Sequence, residues 1–474
     1  MALPVDITRF VCRDDGSDNN GGGWIEGGTG TDYSNQAAAQ YSLTGLTTTG
    51  ASAVILTAAA SADMVSNLIQ ILTGTNFILG FYRILSVVVG VSITVDRNAT
   101  TGVGAAGTGS IGGSLLTIQK AFAALPAGCQ TYAKGTFSNT AAIVLPALTN
   151  DNTFPARLTG FTATIGDGGR CTLTTATNSI NVIDLNAQIG WQFSNLRITS
   201  TAVTPGDGVH ALSGGANARA ITFINCRIDH VNVGINGNFQ IDWGIEFLTL
   251  VATEIDHCVS NGYQNSYGGK EIGCYIHENG GHGFAYSGGS QGGLSLDAVA
   301  STHWKNTGNG FDDSINTGIP GAVPRVFSIQ NCDIVDNATG VNITGGGGTN
   351  SEQGLTLVNC IIYGNTLGVD THTATMIIAV DQNNAYKNTT DVSGWIKGAG
   401  DVTLTGDPFN GRTSNDFSLN NTAGAGAACK AAGYPGVTAF GTGHIDIGAL
   451  QSASGGGGGG GLLTHPGMQG GCRG

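Results

Sequence analysis

The tetrapeptides NCRI, NCDI and NCII begin at Asn225, Asn331 and Asn359, and a related NLRI begins at Asn195. A chain that keeps returning to Asn, a small or apolar residue, any residue and Ile is committed to a repeating architecture. With the second residue of the tetrapeptide as a register mark, related segments fall at Leu196, Cys226, Thr253, Cys274, Thr302, Cys332, Cys360 and Asn384. Two positions after each mark stands Ile198, Ile228, Ile255, Ile276, Trp304, Ile334, Ile362 or Tyr386. A Gly followed by an apolar residue comes later in most units, as in Gly234-Ile235 and Gly340-Val341. Each unit therefore reads as a short strand with period-two alternation, a turn and a second short strand.

Units made only of strand and turn cannot bury a face alone, whereas stacked units share a continuous core. The expected fold class is all-β: a single-stranded solenoid, the parallel β-helix, with each coil about 4.8 Å above the last. The marks and the residues two places on should point inward. The expected structural stack is Leu196, Cys226, Cys274, Cys332 and Cys360, with Ile228, Ile255, Ile276, Trp304, Ile334 and Ile362. Asn before the mark, and again at Asn337 and Asn365, is expected to ladder its amides along the stack or to hold a left-handed turn.

The stretch LLTIQKAFAALPAGCQTYAKGTF, residues 115–137, resembles the entry of the pectate-lyase-like right-handed parallel β-helix family. There a short amphipathic helix caps the open end, where a bare sheet edge would invite polymerisation. The segment from NDFSLNN to GHIDIGALQ, residues 415–451, looks like the closing part of such proteins, which commonly end in a DIGA-type strand. The resemblance spans residues 115–451 and implies a fold rather than a function, because this scaffold carries lyases, hydrolases, adhesins and inert spikes.

Three parts are expected. Residues 1–110 stand outside the repeat and read as a small N-terminal β domain; FILGFYRILSV and SITVDR within it are similar to the N-terminal parts of β-helical proteins of tailed bacteriophages. Residues 111–451 form the β-helix with its N-terminal helix cap. Residues 452–474 are a Gly-rich C-terminal tail, in which the glycine run 455–461 is a tether. Beyond it Leu462, Leu463, Pro466, Met468 and Arg473 would form an assembly tag that docks on another subunit or particle protein.

Charge narrows the partners. Nineteen basic against 32 acidic residues, a net −13, argue against a nucleic-acid groove or an anionic membrane surface. The N-terminus lacks the basic and apolar regions of a secretory leader, and no apolar stretch reaches the length of a membrane span. Synthesis in a host cytoplasm without membrane insertion is the expectation. The ten Cys contain no CxxC pair and read as buried free thiols.

Chemistry is sparse. TGVGAAG, residues 101–107, matches a dinucleotide fingerprint, but no acidic residue occurs between Asp96 and Asp151, so a glycine-rich linker is the reading. GGHGF at 280–284 and FDDS at 311–314 resemble elements of the polygalacturonase branch of the β-helix family, in reversed order and without the following basic element. His282, Asp312 and Asp313 are therefore expected at turns. The repeat places Asp229 and His230, Asp256 and His257, and His277 and Glu278 at matching positions of three successive coils. Imidazole and carboxylate at coil spacing suit a divalent metal or a sugar hydroxyl; the alternative is a solvated polar column.

Two functional classes follow. The first is a phage virion structural protein, a spike, fibre or head-decoration protein with the β-helix as a rigid shaft, located in the virion. Its partners would be other virion proteins, a homo-oligomer with a trimer favoured, and a host glycan. The second is a carbohydrate-active β-helix enzyme, a polysaccharide lyase or hydrolase; a surface adhesin stands behind both. No cofactor is expected, with Ca²⁺ or another divalent metal left open.

Overall fold

A computed structural model describes residues 8–148, 155–211, 218–237, 245–265, 267–286, 295–313, 325–343, 352–371, 375–430, 432–434 and 445–451. The assembly tag at Leu462, Leu463, Pro466, Met468 and Arg473 lies outside the described residues. The chain divides into two compact units, residues 1–139, 143–174 and 188–197, and residues 140–142, 175–187 and 198–474. Among the described residues no helix is long and apolar enough to cross a membrane.

The first unit holds a six-stranded antiparallel sheet built from Tyr41–Leu46, Val54–Leu56, Leu68–Phe77, Gly80–Val88, Ser92–Val95 and Thr100–Ile111. Leu46, Ile55, Met64, Ile69, Ile71, Tyr82 and Ile93 form its core. TGVGAAG lies inside the last strand rather than in a linker. Gly104 and Gly107 lie against Phe77, whose ring atoms a Cβ would meet at 2.9 and 2.6 Å. The expected boundary also shifts. Thr8–Arg13 pairs in parallel with Gln130–Lys134, which pairs in turn with Ala156–Phe161, so the N-terminal strand belongs to a coil and not to the antiparallel sheet. The expected helix runs Ile118–Ala124, with the Thr117 hydroxyl accepting from the Lys120 amide. Asp18 accepts from the Leu116 and Thr117 amides, and Phe122 packs edge-on to Trp191 at 5.0 Å.

The second unit is a parallel β-helix. Three short strands per coil build three sheets, and the second sheet stacks Arg227–Asp229, Glu254–Asp256, Tyr275–His277, Thr302–Trp304, Asp333–Val335, Ile361–Tyr363 and Ala385–Lys387 in register. Its inner row is Ile228, Ile255, Ile276, His303, Ile334, Ile362 and Tyr386, all fully buried. The third sheet lines the interior with Val209, Ile235, Tyr263, Phe284, Phe311, Val341 and Val369.

The residue before the mark and the mark itself answer different needs. Asn195, Asn225, Asn331 and Asn359 sit at φ 50–55° and 57°, the left-handed turn that Asn tolerates best after Gly. Beside that turn the mark adds a second bond to a carbonyl that already accepts a ladder amide, as at Val251, Ile272, Gln330 and Val358. Thiols of Cys226, Cys274, Cys332 and Cys360 donate to the carbonyl two residues back, as the Thr253 hydroxyl does. A small side chain with one donor is what the slot requires, and Cys meets it while packing as a hydrophobe.

One coil corrects the expected register. Trp304 does not enter the stack: the mark is Ser301, which follows the left-handed Ala300, and His303 takes the Ile position. The reason lies across the interior. Glu271, fully buried on the first sheet, accepts from His303 at 2.9 Å and from the Tyr263 hydroxyl, while the other His303 nitrogen is 2.9 Å from the Gly310 carbonyl. A satisfied polar triad thus replaces apolar packing, and Trp304 turns outward.

A second left-handed position follows the second-sheet strand in six successive coils, from His230 to Gly364, and an amide ladder through the core begins at the residue after Glu278. Asn279, Asn306, Asn337, Asn365 and Asn388 bond side chain to side chain at 2.9, 3.0, 3.2 and 2.9 Å, each carbonyl also accepting from the backbone amide one coil below.

After the last coil the chain turns back. The described residues between 402 and 450 lay Leu404, Phe409, Phe417, Leu419, Cys429 and Ile447 over the outer face of the second sheet, against Tyr275, Trp304, Val335, Ile361 and Ala385. The DIGA segment is part of this cover and forms no strand: the Gly448 amide donates to the Asn359 carbonyl at 2.7 Å.

Candidate functional site

The cover ends at Phe417, whose ring meets Tyr275 and Trp304 at 6.0 and 5.8 Å. Beyond it the outward row of the second sheet continues with His277, Asp256 and Asp229, while the row of Tyr275 continues with Glu254 and Arg227. All six residues singled out by the repeat meet here. The His230 and His257 rings stack at 5.4 Å, nearly parallel, and His257 meets His277 edge-on at 6.2 Å.

Charge is paired throughout. Arg227 grips Asp256 with two bonds of 3.0 and 2.7 Å, reaches Asp229 at 2.9 Å and approaches Glu254 at 3.8 Å. Burial acts to lower the Arg227 pKa, yet the bond and charge of Asp256, then Glu254 and Asp229, carry it above its ordinary value. The side chains of Asp229 and Asp256 are 0% exposed, so they are held by Arg227 and the flanking imidazoles rather than by water.

His277, 4% exposed, bridges two open carboxylates. Its Nε2 is 3.3 Å from Glu254 and its Nδ1 3.3 Å from Glu278, which are 29% and 24% exposed. Glu278 also receives Lys305 at 2.7 Å and faces His257 at 3.7 Å. Burial acts to raise the Glu278 carboxyl, but Lys305, His277 and His257 bring it below its ordinary value. The Tyr275 ring, stacked on His277 at 4.0 Å, walls the site on the covered side.

One ligand atom each from Glu254, Asp256 and His277 lie within 4.8 Å of one another. Carboxylate and imidazole suit a divalent cation. Arg227 already supplies a positive charge at Asp256, so a cation would compete with it.

The sequence pattern missed Arg227, Glu254, Tyr275 and Lys305. The first three stand one place after the mark, in the same outward phase as the residues three places after it. The period-two rule therefore contained them.

The second pair of motifs also converges. The His282 Nδ1 accepts from the Asn309 amide at 2.9 Å, and its Nε2 is 3.9 Å from Asp312. Contrary to expectation, Asp312 and Asp313 are buried at a strand end: Asn342 donates to Asp312 at 2.8 Å and Gln353 to Asp313 at 3.3 Å. Tyr263 and Tyr286 are core, and Tyr267 is half-buried.

No protein-family model matches the sequence, and no curated protein matches it. Among solved structures the chain is similar to the pectate lyase Pel9A, at 16% identity and a TM-score of 0.45, over 72% of this chain and 92% of that one. A rhamnogalacturonan lyase follows at 13% and 0.37, over 57% and 83%. The catalytic domain of a GH87 alpha-1,3-glucanase stands at 11% and 0.25, over 81% and 91%. These are carbohydrate-active β-helix enzymes, and at such identities the likeness is one of fold alone.

Proposed function

We propose that the protein is a carbohydrate-active β-helix enzyme, a polysaccharide hydrolase whose substrate lies along the open part of the second sheet. One observation carries this reading. His230, His257, Glu278, Lys305 and Asp336 occupy the left-handed position of five successive coils, at φ 53–55°. Non-glycine residues there cost about 1 kcal/mol or more each, and a shaft would be served better by Gly or Asn. Gly364 stands at the same place one coil further on.

Within that column Glu254 and Glu278 offer the paired carboxylates of glycoside hydrolysis. They are held 3.3 Å from opposite nitrogens of one imidazole, an arrangement that suits the inverting class, whose carboxyls stand roughly 6.5–9.5 Å apart to leave room for an attacking water. Glu278, held below its ordinary value by Lys305 and the flanking imidazoles, suits the base. The test is a panel of neutral and acidic polysaccharides, assayed for new reducing ends and for unsaturated products. Glu254→Gln and Glu278→Gln should each lower the rate by roughly 10²–10⁴-fold with the fold intact. Unsaturated products would move the reading to a lyase, and a wild-type protein that cleaves no glycan would overturn it.

The virion-shaft reading has one observation in its favour. Arg227 satisfies Asp229 and Asp256 without any ligand, so the inner part of the column is explained by structure alone.

A further inference from the structure

Among the bonds that hold the C-terminal cover, which include the Arg412–Asp336 ion pair, two are made by carboxyls with little to offset a charge, Asp333 fully buried and Asp401 half-buried. Asp333 lies on the outer row of the second sheet between Thr302 and Ile361, 1% exposed. Among the described residues its Oδ1 accepts only from the Ala449 amide of the closing segment, at 3.2 Å, and its buried Oδ2 has no hydrogen-bond partner. Near it stand Ile361 on its own sheet and Cys429 from the cover, whose thiol the Asp333 charge helps to push up. Among the described residues no cation offsets it.

The second fastening closes the loop that carries the chain from the last coil into the cover. Asp401 accepts from the Asn384 and Gly398 amides, both at 2.8 Å, and faces Asp381 closely enough to share a hydrogen bond. Asp381 in turn holds the Asn384 amide, the Tyr386 hydroxyl and the Trp395 indole. The cation nearby, Lys397, is bound to Asp391 at 2.6 Å and lies over the Tyr386 ring. Two carboxyls in contact without a cation between them hold one proton.

We infer that the two ends of the cover, residues 398–404 and 445–451, are proton-latched to the coils, closed while Asp333 and the Asp381–Asp401 pair hold their protons and released as they lose them. The inference rests on the two fastenings and is independent of the proposed catalysis.

The direction follows from linkage. Burial raises the Asp333 carboxyl from 3.8 to about 8, and burial followed by Asp381 raises Asp401 to about 7. In the open form both return towards ordinary values. Between those limits the closed form binds more protons than the open one. Closure is therefore fully favoured below pH 3.8, weakens as pH rises towards about 8, and is level above it.

Hydrogen exchange of the full chain tests this. The Ile447 and Gly448 amides, bonded to Cys429 and Asn359, report the first fastening, and the Leu404 amide, bonded to Tyr386, reports the second. Protection factors corrected for the intrinsic rate should fall by up to about tenfold per pH unit for each carboxyl between pH 5 and 7. Core amides such as Ile361 should stay level. Asp333→Asn should flatten the profile at Ile447 and Gly448, and Asp401→Asn at Leu404. Level protection in the wild type from pH 5 to 9 overturns the inference. If a variant does not fold, carboxyl ¹³C titration of the wild type decides: a midpoint for Asp333 near the ordinary aspartate value overturns it, and one near neutrality or above supports it.

Discussion

Asn337→Ala should be among the most damaging single truncations in the β-helix, whereas Asn331→Gly should be nearly silent, although both residues are repeated asparagines of one coil. The Asn337 carbonyl accepts from the Asn306 amide at 3.1 Å and from its side chain at 3.0 Å; its own amide donates to the carbonyls of His303 and Val335, both at 3.0 Å. After truncation several partners retain a bond. Asn306 Nδ2 keeps the Ile276 carbonyl, and Asn365 Oδ1 keeps the Asn337 backbone amide. The Asn306 amide proton, fully buried, loses its acceptor, a penalty of about 1–3 kcal/mol, and the lost bonds add about 1 kcal/mol each, for a total near 3–5 kcal/mol. Asn331 instead serves its turn at φ 50°, with one partly buried bond from Asn359 at 3.1 Å. Gly adopts that φ freely, so the change should cost less than about 1 kcal/mol, while Asn331→Ala should cost about 1–2 kcal/mol. Urea unfolding of the three variants measures the differences. If Asn337→Ala is no more destabilising than Asn331→Gly, the ladder does not hold the coils together and the two asparagines have the same task.

Other perturbations probe the buried charges. His303→Ile should cost about 3–5 kcal/mol by leaving Glu271 buried beside Tyr263 alone, and adding Glu271→Leu should recover most of it; a double variant no better than the single one would refute the polar triad. Arg227→Ala should lower the melting midpoint by removing the cation from two fully buried carboxylates, and Ca²⁺ or Mn²⁺ should raise it again; no response to either ion would show that Glu254, Asp256 and His277 cannot accept one. Thiol titration of the unfolded, unreduced protein should count ten reactive groups, since the nine cysteines among the described residues are free; a lower count would mean a disulfide.

The repeat by itself determined the solenoid, the inward Ile row, the left-handed asparagines and the meeting of Asp229, His230, Asp256, His257, His277 and Glu278. Each of these follows from stacking like on like, which is local to neighbouring coils and therefore printed as a period in the sequence. Tertiary structure alone decided what breaks the period. His303 enters the core because Glu271 waits 32 positions earlier on a different sheet, a pairing that no apolar pattern encodes and that displaced Trp304 outward. The cover, from residue 402 onward, carries no repeat, and only its packing on Tyr275 and Trp304 sets where the open face begins. The burial of Asp229, Asp256 and Asp333 is of the same kind. A carboxylate reads as surface in any sequence, and whether it is enclosed depends on which chain segment lies across it and whether an arginine arrives with it.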